Sequence, residues 1–120
     1  MLIRSQDKTI IVNIDNAFSI AIRDINGAAS IYVGSQGGCC IIAEYSTKAK
    51  ALKVLDMIQE AYADFESAKI TSTGLATAAY TGSYDTSESV AHGIKVLQGY
   101  AEMIRESVVF QMPEDSEVEV

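Results

Sequence analysis

The feature that most constrains this chain is a change of apolar period at Ser46-Thr47. Before it, apolar residues alternate. Phe18, Ile20 and Ile22 are separated by Ser19, Ala21 and Arg23, the period of a strand with one buried face. After it, Ala51, Val54, Leu55, Ile58 and Tyr62 recur at steps of three and four, the stripe of an amphipathic helix. A run of strands followed by a run of helix points to an α+β fold.

The strand half reads as a β-meander over residues 1–45. Thr9 to Ile14 is β-branched and apolar, and Asp15-Asn16 turns it toward Phe18. Asn26-Gly27 is a hairpin signal because both residues tolerate positive φ. Gly34-Ser35-Gln36-Gly37-Gly38 predicts a second turn between Ser30–Val33 and Cys39–Tyr45. Phe18, Ile20 and Ile22 form the apolar face, with Arg23 opposite.

The helical half opens at Ser46-Thr47, where either hydroxyl can cap a helix, and the pattern predicts a helix over 47–64. Residues 65–88 contain Thr71-Ser72-Thr73-Gly74 and Thr81-Gly82-Ser83, which read as a loop. Val90, Ile94, Leu97, Ala101 and Ile104 mark a second helix over 89–106. Gly93 and Gly99 within it suggest close packing against another element. Val108, Phe110 and Met112 alternate as a last strand over 108–112, and 113–120 reads as a frayed acidic tail. The expected fold is therefore one domain. It has an antiparallel sheet of five or six strands, formed by the meander and the C-terminal strand and packed by two α-helices.

Chemistry is sparse. His92 stands alone, off the apolar stripe of its helix, and the acid pairs Asp56/Glu60 and Glu102/Glu106 fall on outer helical faces. Cys39 and Cys40 are adjacent, so their side chains point to opposite faces of a strand and they do not read as a structural disulfide. No glycine run stands in a strand–Gly–helix context with a lysine, as a phosphate loop requires. The expectation is no catalytic residue, no metal and no cofactor.

Charge excludes one class of partner. The 120 residues carry a net charge of −7, which argues against DNA or RNA. No apolar run approaches the roughly 18 residues of a membrane span. Met-Leu-Ile-Arg-Ser-Gln-Asp-Lys lacks the apolar stretch of a secretory signal, so the sequence places the chain in the cytosol. The charge is uneven. Residues 1–53 carry a net of +2 and the remainder −9, which suggests a partner or an anion site on the N-terminal half unless folding interleaves the two. The residues read as anion-binding are Arg4, Arg23 and Arg105, since guanidinium forks match phosphate. Ser5 follows Arg4 in a Ser-Gln-Asp turn, and Tyr84 in the Thr/Ser/Gly loop can stack on a base.

Several stretches resemble a family. Met-Leu-Ile-Arg-Ser-Gln-Asp-Lys-Thr at the start, Glu44-Tyr45-Ser46-Thr47, Val54-Leu55-Asp56-Met57-Ile58-Gln59 and Phe110-Gln111-Met112-Pro113-Glu114-Asp115 resemble short uncharacterised proteins of phages and prophages of Gram-positive bacteria. The resemblance covers both ends and the first helix, and residues 65–105 look like an insertion. In size and element order the chain also resembles the Thoeris anti-defence sponges, small oligomeric phage proteins that sequester cyclic ADP-ribose-type immune signals, some of which also hold cyclic oligonucleotides. That resemblance implies a non-enzymatic homo-oligomer that binds a nucleotide signal in the host cytosol. Two other functions fit the same residues: an acidic inhibitor of a host defence nuclease, and a structural oligomeric module.

Overall fold

A computed structural model describes residues 1–81 and 87–120. The fold is α+β, with six strands and two α-helices among the described residues. These are β1 (Leu2–Arg4), β2 (Ile11–Asn13), β3 (Ser19–Ile25), β4 (Ala28–Ser35), β5 (Gly38–Tyr45), α1 (Lys48–Thr81), α2 (Ser87–Ser107) and β6 (Val109–Gln111). The chain divides into two compact units. The first is Met1–Ala61 with Val109–Val120, and the second is Tyr62–Val108.

In the first unit the strands form two sheets rather than one. β3, β4 and β5 make an antiparallel meander. Asn26 and Gly27 adopt φ of 53° and 83° between the paired residues Ile25 and Ala28, a two-residue hairpin with both central residues left-handed. β1 lies at the centre of the second sheet, antiparallel to β2 and parallel to β6. A parallel pair cannot be joined by a hairpin, and here strands β2 to β5 and both helices intervene between β1 and β6. The expected single sheet fails because β1 and β2 close on each other through their own loop. Ser5 N–H donates to Ile10 O at 2.8 Å, and Gln6 N–H reaches Ile42 O at 2.8 Å.

Register decides which face of the meander is buried. Ile20 pairs with Val33 and Ile22 with Ile31, and Val33 and Ile31 are buried. On β5, Ala43 pairs with Ile31 but Ile41 pairs with Tyr32. Ile42 is therefore an extra residue in a bulge, and both Ile42 and Ala43 are buried. Phe18 departs from the expected apolar face. It precedes β3 and is 77% exposed.

Thr47 caps α1, as its sequence predicts. Lys50 N–H donates to Thr47 Oγ1 at 3.2 Å and Ala51 N–H to Thr47 O at 3.3 Å. Ala51, Val54 and Ile58 are buried in the first unit, whose core also holds Ile3, Tyr45, Met112 and Val118. α1 does not end near residue 64. It continues to Thr81, so 65–81 is helical where a loop was expected, and α2 begins at Ser87. A Ser/Thr-rich run with one glycine costs little per residue, and propensity is only a weak prior. Gly99 has no neighbour within 4 Å of an added Cβ, so no element among the described residues of the same chain makes the close approach read from the sequence.

The C-terminal segment is docked, not frayed. Met112, Pro113 and Val118 are buried. Asp115 accepts from Ser46 N–H at 2.7 Å and pairs with Lys50 at 3.3 Å, while Lys53 Nζ donates to Glu119 O. Folding thus interleaves bases of the N-terminal half with acids of the C-terminal segment.

Candidate functional site

The residues read as an anion site fall in different places. Arg4 is exposed on β1, and its Nε donates to Lys8 O at 3.2 Å. Ser5, next to it, is only 2% exposed and fully engaged in structure. Its hydroxyl donates to Asp7 Oδ1 at 2.6 Å and accepts from Ile10 N–H at 3.0 Å. Its carbonyl accepts from Lys8 N–H at 3.0 Å and from Gln111 Nε2 at 2.9 Å. Ser5 therefore shapes the loop that carries Lys8 at φ 67° and has no free hydroxyl proton for a ligand.

Asp7 is the hub of that loop. Its Oδ1 accepts from the Ser5 hydroxyl, the Thr9 hydroxyl at 2.7 Å and the Thr9 N–H at 3.0 Å. These donors stabilise the carboxylate, the Ser5 hydroxyl most, and bring its pKa down to about 2.

Arg23 is exposed on the outer face of the meander, 4.7 Å from the centre of the Tyr32 ring. Cation–π contact holds the guanidinium over that ring. Arg4 and Arg23 belong to different sheets of the first unit, while Arg105 is exposed near the end of α2 in the second. Tyr84 lies outside the described residues. His92 is exposed on α2. Among the described residues no group of three or more His, Cys, Asp or Glu side chains could hold a metal ion, and no helix is long and apolar enough to cross a membrane.

A cleft of about 400 Å³ in the first unit was not anticipated. The segment from β2 through Ala17 forms one wall, with Ile11, Val12, Asn13, Asn16 and Ala17, and the β4–β5 hairpin forms the other, with Val33, Ser35, Gly37, Gly38, Cys39 and Cys40. Val12, Ala17, Val33 and Cys40 are apolar, while Asn13, Asn16 and Ser35 bring amide and hydroxyl groups. No carboxylate, amine, guanidinium or imidazole lines it. The Asn13 amide oxygen already accepts from Asp15 N–H at 3.1 Å, which leaves its NH2 as a donor. The nearest of the predicted arginines by register is Arg4, paired across the sheet with Ile11. Sequence reading missed this cleft because its walls come from segments some twenty residues apart, and none of its residues stands in a recognisable motif.

Family models, curated proteins and solved structures were all compared with this chain, and none matches it.

Proposed function

We propose that the chain is a non-enzymatic binding protein that sequesters a small nucleotide-type signal, the role its resemblance to the anti-defence sponges implies. The observation that carries this reading is the uncharged cleft between the β2 segment and the β4–β5 hairpin. Its volume of about 400 Å³ suits a small organic ligand, since such sites are concave, largely apolar and fitted with a few polar groups. The apolar walls would take the face of a base, and Asn13, Asn16 and Ser35 would meet the polar edges of a base or ribose. The phosphates would lie outside the uncharged walls, toward Arg4 beside Ile11. The only acid–base groups among the lining residues are the thiols of Cys39 and Cys40, with no carboxylate, imidazole or amine lining the cleft beside them, which favours holding a ligand over converting it.

A thermal-shift screen against cyclic ADP-ribose isomers and cyclic di- and trinucleotides tests the reading. A ligand that binds only the folded state raises the melting temperature with its concentration, and chromatography after heating should recover it unchanged. No stabilisation by any of them, or a new product, would overturn the proposal.

A further inference from the structure

The β4–β5 hairpin gives the cleft an alternating wall. Val33 pairs with Cys40 and Ser35 with Gly38, and all four residues line the cleft. Residues paired directly across two strands share a face of the sheet, so the Cys40 side chain lies on the cleft face beside buried Val33. Cys39 pairs with Gly34, and alternation sends its side chain to the opposite face. Exposure agrees, since Cys39 is exposed and Cys40 half-buried, and both thiols are free. Of two adjacent cysteines, one therefore stands in the cleft and the other outside it.

Open space separates Cys40 from an ordinary core thiol. Protein interiors are packed so closely that one added group forces atoms apart, and modification of a core cysteine disrupts the fold. Cys40 faces about 400 Å³ of open volume, which can take a small adduct without moving the walls.

Adjacency also fixes what oxidation can produce. The Cys39–Cys40 peptide is trans, and consecutive Cα atoms are then about 3.8 Å apart, short of the roughly 4.4–6.8 Å that a disulfide spans. With its side chain on the other face of the strand, Cys39 cannot displace a group from Cys40. A mixed disulfide on Cys40 would persist until an external thiol removed it.

We infer, resting on the reading of the cleft as the ligand site, that Cys40 is a modification site whose thiolation shuts the cleft to its ligand. The Cys40 thiol gives its proton to solvent, and its sulfur attacks one sulfur of a low-molecular-weight disulfide. A new S–S bond joins Cys40 to that half, the disulfide's own S–S bond breaks, and the other half leaves as a thiolate. The small disulfide is the oxidant, and a small thiol attacking the mixed disulfide reverses the step. The attached half occupies cleft volume, so ligand binding follows the thiol–disulfide state of the surroundings.

Hydroxyethyl disulfide and the single variants Cys39→Ser and Cys40→Ser supply the test. Intact mass should show one adduct on each folded variant, and both should keep a cooperative melting transition. Calorimetric titration uses the cyclic nucleotide that most stabilises the wild type. Treatment of Cys39→Ser should weaken binding by roughly tenfold or more, reversibly with dithiothreitol, while Cys40→Ser should bind equally before and after treatment. A ligand-free arm follows thiolation rates. Adding Ala17→Phe to Cys39→Ser should slow labelling of Cys40, and adding it to Cys40→Ser should leave labelling of Cys39 unchanged. Undiminished binding by thiolated Cys39→Ser, an adduct that unfolds, or Cys40 labelling indifferent to Ala17→Phe would overturn the gate and leave the cleft reading standing. No binding by any untreated protein would overturn the cleft reading and the gate with it.

Discussion

The Tyr45 hydroxyl donates a buried hydrogen bond of 2.8 Å to the carbonyl of Pro113, 68 residues away. The bond ties the end of β5 to the segment that follows β6. The Gln6 side chain joins the same point, donating to Pro113 O at 3.2 Å and Glu44 O at 3.2 Å and accepting from Glu44 N–H at 3.1 Å. Burial pushes the Tyr45 phenol well above its ordinary range, helped by the charges of Glu114, Asp115 and Glu117, so it remains a donor throughout the accessible pH range. Removing this hydroxyl with Tyr45→Phe should cost about 0.5–1.5 kcal/mol, the net worth of one neutral hydrogen bond. The Pro113 carbonyl keeps Gln6 as a partner, which holds the loss to that range. Chemical denaturation measures it, and an unchanged midpoint would mean that the C-terminal segment is not anchored there.

Acid should loosen the first unit in a defined window. Asp7 has its pKa brought from 3.8 to about 2, chiefly by the Ser5 hydroxyl. Asp115 is also lowered from 3.8, chiefly by the Ser46 N–H, with Lys50 contributing. Both groups are more acidic folded than unfolded, so their contribution is present above about pH 4; that of Asp7 is lost as pH falls toward about 2, and that of Asp115 is lost as pH falls below its ordinary carboxylate range. The melting temperature of the wild type should therefore decline between about pH 4 and 2. The decline should be shallower in Asp115→Asn, which has one fewer carboxylate to protonate. Identical slopes for the two proteins would contradict the docking of Asp115 on Ser46.

Ser5 and Arg4 are neighbours in sequence with opposite expected behaviour. Ser5→Ala removes a buried hydroxyl that donates to Asp7 and accepts from Ile10 N–H, leaving a part-buried donor without its partner, at a cost of about 1–3 kcal/mol. Arg4→Ala removes an exposed side chain and should leave the unfolding midpoint nearly unchanged while weakening nucleotide affinity by roughly tenfold. Unfolding curves and calorimetric titrations on the two single variants separate these roles. A stable Ser5→Ala protein with lost affinity would return Ser5 to the ligand site.

Local chemistry was readable and long-range closure was not. Asn26-Gly27 makes its hairpin and Thr47 caps α1 because each acts on its own neighbours. The two sheets are joined by Gln6, whose partners lie at Ile42, Glu44 and Pro113, and by Gln111, which donates to the carbonyl of Ser5, while Ser5 itself bonds to Ile10. No periodicity announces a glutamine amide that stitches three segments. Asp115 reads as one more acid in a tail until Ser46 and Lys50 meet it. The extension of α1 through 65–81 was hidden because serine, threonine and glycine are poor helix formers individually, whereas continuation of an existing helix adds a hydrogen bond per residue without new nucleation. Of the candidate site, Arg4 and Ser5 are adjacent as their sequence dictates, but the cleft emerges only when the β2 segment meets the β4–β5 hairpin.

The central claim is that this cleft holds a small nucleotide-type ligand, and calorimetric titration of two proteins tests it most directly. Ala17 is half-buried on the cleft wall, so Ala17→Phe would fill the open volume with a ring. Wild-type protein titrated with the cyclic nucleotide that stabilises it most should bind it saturably, and Ala17→Phe should lose that binding while retaining a cooperative melting transition. Equal affinity in the two proteins would place the ligand elsewhere, and no heat of binding from any cyclic ADP-ribose isomer or cyclic oligonucleotide would contradict the account.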